Sequence, residues 1–105
     1  MNHLENICYV KGKISSNPVK NLTNGSYSFS MKLYESGENL NGNFVKSSGN
    51  GTIDVNCKAE IVENINPGKL FSVSDGFGIF EKGEEFQFNG YYSVKKQKFV
   101  VQSSV

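Results

Sequence analysis

A chain of 105 residues with net charge +1 and 37% apolar residues has room for one domain around one modest core. No apolar run is long enough to span a bilayer and no charged-then-apolar leader opens the chain, so a cytoplasmic protein without membrane contact is expected. His3 is the one histidine, and Cys8 and Cys57 lack C-x-x-C spacing. That leaves no zinc set and no Ser-His-acid grouping, so neither a metal, a cofactor nor catalysis is expected.

Residues 6–15, NICYVKGKIS, alternate: Cys8, Val10, Gly12 and Ile14 share one face, and Ile7, Tyr9, Lys11 and Lys13 the other. The first face is expected inside, with Cys8 as a reduced core thiol. Residues 16–25 form a turn-rich connection with Pro18 and Asn24-Gly25. Residues 26–35 make the clearest strand. Tyr27, Phe29, Met31 and Leu33 point to the core; Ser26, Ser28, Ser30, Lys32 and Tyr34 form a smooth, hydroxylated outer face that ends in an aromatic ring. Residues 36–51 are nearly all Gly, Asn and Ser, which predicts a long flexible loop. Phe44, Val45 and Lys46 interrupt it, either tucked onto the domain or waiting for a ligand.

Residues 52–63 alternate again, with Ile53, Val55, Cys57, Ala59 and Ile61 inward and Asp54, Asn56, Lys58 and Glu60 outward. Cys57 is expected as a second core thiol. In residues 64–82, Asn66-Pro67-Gly68 and Asp75-Gly76-Phe77-Gly78 are turn signals. Neither carries the remainder of a Walker or kinase motif. The apolar pieces Leu70, Phe71, Val73, Phe77, Ile79 and Phe80 fit a short helix or an extra hairpin over the domain. The last 24 residues read as a hairpin. Phe86, Phe88, Gly90 and Tyr92 share the apolar face, Gln87, Asn89, Tyr91 and Ser93 the other, and a lysine-rich turn leads to the strand that holds Phe99 and Val101. Gly12 and Gly90, each on an inward register, predict bends, bulges or close backbone approaches.

Five strands, with a long flexible loop between the second and third and a long connection after the third, predict an all-β, five-stranded OB-fold barrel spanning residues 1–105. Three segments carry a resemblance: ICYVKGKISSNPV, NGSYSFSMKL and KGEEFQFNGYY. In their order and spacing they are similar to the opening strand, the second strand and the pre-hairpin strand of the bacterial and phage single-stranded-DNA-binding protein family, in a small phage or mobile-element form. The resemblance implies a non-enzymatic protein of DNA replication or recombination that coats single-stranded DNA without strong sequence preference. It also implies a homo-oligomer, dimer or tetramer, with replication or recombination proteins as candidate partners. The chain has no tryptophan, and Thr52-Ile53 stand where the family commonly places a stacking aromatic, so stacking would fall to Tyr and Phe.

Single-strand binders pair cations with aromatic platforms. Tyr9, Tyr34 and Tyr91 have an outward register, and Phe44 lies in the flexible loop. Each such ring can equally lie flat on its own sheet or in a contact between copies. Tyr27, Phe29, Phe86, Phe88 and Tyr92 belong to the core, and Phe99 could face either way. Lys11, Lys13, Lys32, Lys46, Lys95, Lys96 and Lys98 are the phosphate candidates; singly each is an ordinary solvated lysine, and the case rests on the set. Residues 1–34 sum to +3, residues 35–85 to −5 and residues 86–105 to +3. If the two basic ends meet in a barrel, they form one positive zone. All eleven cations are Lys, which suits phosphate contact more than bidentate base reading by Arg. The alternative function is an OB-like module that binds a protein, such as a phage-encoded modulator of host machinery.

Overall fold

The computed structural model describes residues 4–49, 51–68 and 79–104. A 3-10 turn, Leu4–Asn6, leads into β1 (Ile7–Ile14). There follow β2 (Val19–Lys20), β3 (Tyr27–Leu40), β4 (Asn43–Ser48), β5 (Thr52–Cys57), α1 (Ala59–Ile65), β6 (Glu85–Ser93) and β7 (Lys98–Ser104). The strands run β1-β6-β7-β5-β3, and β3 pairs back onto β1, so five strands close a barrel. All its joints are antiparallel except β5–β7, which is parallel. This is the OB-fold arrangement expected from the alternation. Among the described residues, no helix is long and apolar enough to cross a membrane.

The core forms where the inward registers meet. Val10, Ile14, Tyr27, Phe29, Met31, Leu33, Ile53, Val55, Cys57, Phe88, Phe99 and Val101 fill the barrel. Phe29 meets Phe80 edge-on at 5.4 Å, and Phe86 stacks on Phe88 at 5.6 Å. Burying one such side chain stabilises the fold by about 1.5–3 kcal/mol. Both strand glycines are where backbones crowd. A Cβ on Gly12 would collide with the Lys32 carbonyl, and one on Gly90 with the Val100 carbonyl. The ladder slips beside each of them.

Three expectations need correction. The β1 ladder slips between Ile7 and Tyr9, and such a one-residue slip exchanges faces. Ile7 therefore joins the core, and Cys8 is half-buried outside it, its thiol 3.7 Å from the Gly37 carbonyl. The loop expected over residues 36–51 is largely a hairpin, with β3 running on to Leu40 and β4 pairing back along it. Its turn is Asn41-Gly42, with φ of 53° and 85°, the positive pair that a two-residue hairpin turn of type I′ requires.

The third correction concerns the strand expected over residues 52–63, which stops at Cys57. Ile61, Val62 and Ile65 then recur at helical spacing, and α1 turns them onto the barrel. Ala59 and Ile61 satisfied a period of two only by coincidence. Asn56 faces outward as expected and is buried there, donating to the Ser26 hydroxyl at 3.0 Å. Asn66-Pro67-Gly68 does end the helix: the Asn66 amide donates to the Val62 carbonyl, and Gly68 takes φ 86°. Ile79 and Phe80 are core residues. His3, Leu70, Phe71, Val73 and the Asp75-Gly76-Phe77-Gly78 turn lie outside the described residues.

Candidate nucleic-acid interface

The outer face of β3 and its neighbours gathers most of the candidates, and the register shows how. Lys13 on β1 stands opposite Lys32 on β3, and Lys32 opposite Thr52 on β5. Next along β3 comes Tyr34, the extra residue of a bulge, since Gly12 faces Leu33 while Lys11 faces Glu35. The bulge aims the Tyr34 ring outward, 37% exposed, with the Lys13 ammonium 5.8 Å from its centroid. The neighbouring Tyr34 hydroxyl raises the Lys13 pKa, and Lys13 stays a cation.

The other end of this face is polar. The Lys98 ammonium donates to the Ser28 hydroxyl at 3.0 Å, and Asn56 reaches Ser28 at 3.5 Å and Ser26 at 3.0 Å. Ser26 in turn donates to the Asn24 side chain at 2.7 Å. Between the two ends, the Ser30 hydroxyl donates to Asp54 at 2.8 Å. From Ser28 to Tyr34 the strip is about 20 Å long, at roughly 3.3 Å per residue. Lys95 and Lys96 stand exposed in the β6–β7 turn just beyond Lys98, a turn held by the Lys96 amide donating to Ser93 at 3.2 Å and by Gln97 at φ 56°.

The basic ends of the chain meet where β1 pairs with β6, with their phosphate-candidate lysines on β1 and β3 and on β7 and the turn before it. β1 and β7 are separated by β6, and their lysines flank the β3 face from two sides.

The hairpin changes the role of Tyr9. Its register is outward as expected, yet its ring is only 7% exposed, because β4 folds over it. Phe44 meets it edge-on at 6.2 Å, and the Lys46 ammonium lies 5.3 Å from its centroid. The Tyr9 hydroxyl is 3.1 Å from the Glu35 carboxylate, and the Gln87 side-chain oxygen, at 3.3 Å, is a second acceptor. Burial, then Glu35, raises the Tyr9 pKa. Of the two roles left open for it, Tyr9 takes that of a packed ring in this structure. Lys46 is also engaged, 3.8 Å from the same Glu35. Phe44 itself remains 53% exposed, its ring packed over Gly37.

Two candidates stand apart. Tyr91 is exposed on β6, two strands round the barrel from β5, in an open groove of about 580 Å³ with Lys58, Ile61, Val100 and Gln102. Lys11 is half-buried and turned toward Glu85, Phe86 and Gln87 on β6. Phe99 is fully buried, which settles its register. Sequence reasoning missed Glu35 as the shared anchor of Tyr9 and Lys46, and Ser28 as the partner of Lys98. The alternating serines of β3 hinted at a polar face, but nothing local paired them with Lys98, seventy residues on.

Among the described residues, no group of three or more His, Cys, Asp or Glu could hold a metal ion. Neither a protein-family model nor a curated protein matches the chain.

Proposed function

We propose that this chain binds single-stranded DNA without strong sequence preference and serves DNA replication or recombination in the cytoplasm, as its resemblance to the single-stranded-DNA-binding family implies. The observation that carries this reading is the exposed Tyr34 ring flanked by Lys13 and Lys32 on the outer face of β3, with Lys98 toward the far end of the same strand. In an OB-fold, the face of the second and third barrel strands, here β3 and β5, and the loop between the last two strands are where oligonucleotides bind. One stacked base is worth about 1–3 kcal/mol, and lysines along the backbone add a salt-dependent term.

The test is a titration of oligo(dT) at two salt concentrations. Affinity should fall as salt rises, with a log–log slope of about −0.7 per neutralised phosphate. Binding that is absent, or indifferent to salt, overturns the reading. Assembly into a dimer or tetramer is part of the same proposal. The outer edge of β4 and the short β2 offer unpaired backbone for it, and light scattering at micromolar concentration checks it. A second reading, a protein-interaction module, draws on Leu40 and Val45, which lie exposed beside Phe44 on the hairpin. It gains if oligo(dT) does not bind and a purified partner does.

A further inference from the structure

The strip along β3 is not uniformly cationic. Asp54 stands exposed in its middle, opposite Ser30. The Lys32–Thr52 pair lies two residues to one side of it and the Ser28–Asn56 pair two residues to the other. The Ser30 hydroxyl donates to one carboxylate oxygen at 2.8 Å and so orients the group. Among the described residues no lysine pairs with it; the ion pair present there is Lys46–Glu35, at the hairpin. A surface built only to hold phosphates gains nothing from this charge, which repels them.

The same charge has a use if the backbone runs past the flanking lysines and the bases lie between. Ionised, a carboxylate is an acceptor only. Cytosine offers it an exocyclic amine, and guanine a ring N–H beside an amine, matched to two oxygens. Thymine offers one N–H between two carbonyl oxygens, so part of its edge faces the carboxylate acceptor to acceptor.

We infer that Asp54 is a specificity-determining residue that favours bases bearing an exocyclic amine, cytosine and guanine foremost, over thymine. The inference rests on the single-strand reading and refines it: contact without sequence specificity, but with a composition bias set by one oriented carboxylate. Ser30 is its positioning residue, acting through Asp54.

Fluorescence anisotropy with labelled oligo(dC) and oligo(dT) of equal length, at slightly alkaline pH where cytosine does not self-pair, tests it. The parent should bind oligo(dC) about three- to tenfold more tightly than oligo(dT). Asp54→Asn keeps the shape but adds a donor that thymine carbonyls accept, so the ratio should fall to about one, chiefly through tighter oligo(dT) binding. Asp54→Ser, a second exposed replacement, should also erase the preference. If the parent shows no preference, or if Asp54→Asn strengthens both oligomers by the same factor, Asp54 is only a bulk charge. The inference then falls while single-strand binding stands. If the parent binds neither oligomer at either salt concentration, both fall together.

Discussion

Phe88 is fully buried between Phe29 and Phe86, whereas Tyr34 stands on the outer face with a lysine beside its ring. Removing each ring should therefore change a different quantity. Phe88→Ala should cost about 3–5 kcal/mol of folding stability through reduced burial and the cavity left behind. Tyr34→Ala and Phe44→Ala should each weaken oligo(dT) binding by about 1–3 kcal/mol and barely move the thermal midpoint. Thermal melts beside titrations separate the outcomes, and poor folding of both surface variants with parental binding would make those rings packing residues.

Cys57 gives a pH-dependent counterpart inside the core. Burial pushes its thiol from 9.0 up to about 12, because the thiolate has no place among apolar neighbours. The folded state holds the proton more tightly than the unfolded chain, so this contribution is complete below pH 9.0 and is lost as pH climbs toward 12. The loss is at most about 1.4 kcal/mol per pH unit. Tyr27, its pKa raised by burial, and Tyr9 act with the same sign at higher pH. Denaturant titrations across this range should show Cys57→Ala less stable at neutral pH but losing stability less steeply in alkali; equal slopes would count against a buried neutral thiol.

Among the elements, the β3–β4 hairpin is the one with the most freedom to act alone. β4 contributes no residue to the core cluster, and every residue along it is exposed. What it does contribute is cover for Tyr9, through Phe44 and Lys46. Replacing residues 38–46 by a tight two-residue turn should leave a cooperative, β-type melt while exposing Tyr9 and weakening oligo(dT) binding. Far-UV spectra, tyrosine fluorescence and titration report these separately. Unfolding of the shortened protein would instead make the hairpin a structural clasp. The contrast is with the β6–β7 hairpin, whose Gly90 lies against the Val100 carbonyl, so that no side chain fits without moving the strand.

For the molecule as a whole, charge placement matters more than net charge. The +1 total conceals a basic beginning, an acidic middle and a basic end. Closure of the barrel sets Lys13 and Lys32 toward one end of the β3 face and Lys98, with Lys95 and Lys96 beyond it, toward the other. Neutralising Lys95, Lys96 and Lys98 together should weaken oligo(dT) binding. It should also make the log–log salt slope shallower by about 0.7 for each phosphate that these lysines no longer neutralise. An unchanged slope would put the strand elsewhere on the barrel.

The alternation of Tyr27, Phe29, Met31 and Leu33, and of Phe86 and Phe88, determined by itself that these are strands with these side chains on the apolar face, because period two leaves a strand one apolar face to bury. Gly12 and Gly90 were legible as crowded positions for the same local reason. The sequence also held the turn at Asn41-Gly42, but a run rich in Gly, Asn and Ser has too few apolar residues to show which strand it pairs with. Only the tertiary structure decided that pairing, and with it the burial of Tyr9. The slip beside Cys8 and the bulge at Tyr34 were equally hidden, since a bulge depends on the partner strand as well as on its own. The end of β5 at Cys57 was set by where Ile61, Val62 and Ile65 could reach the core. The candidate interface was legible as a set of lysines and rings; its order along β3, with Asp54 between the cations, came from cross-strand register, which joins residues far apart in the chain.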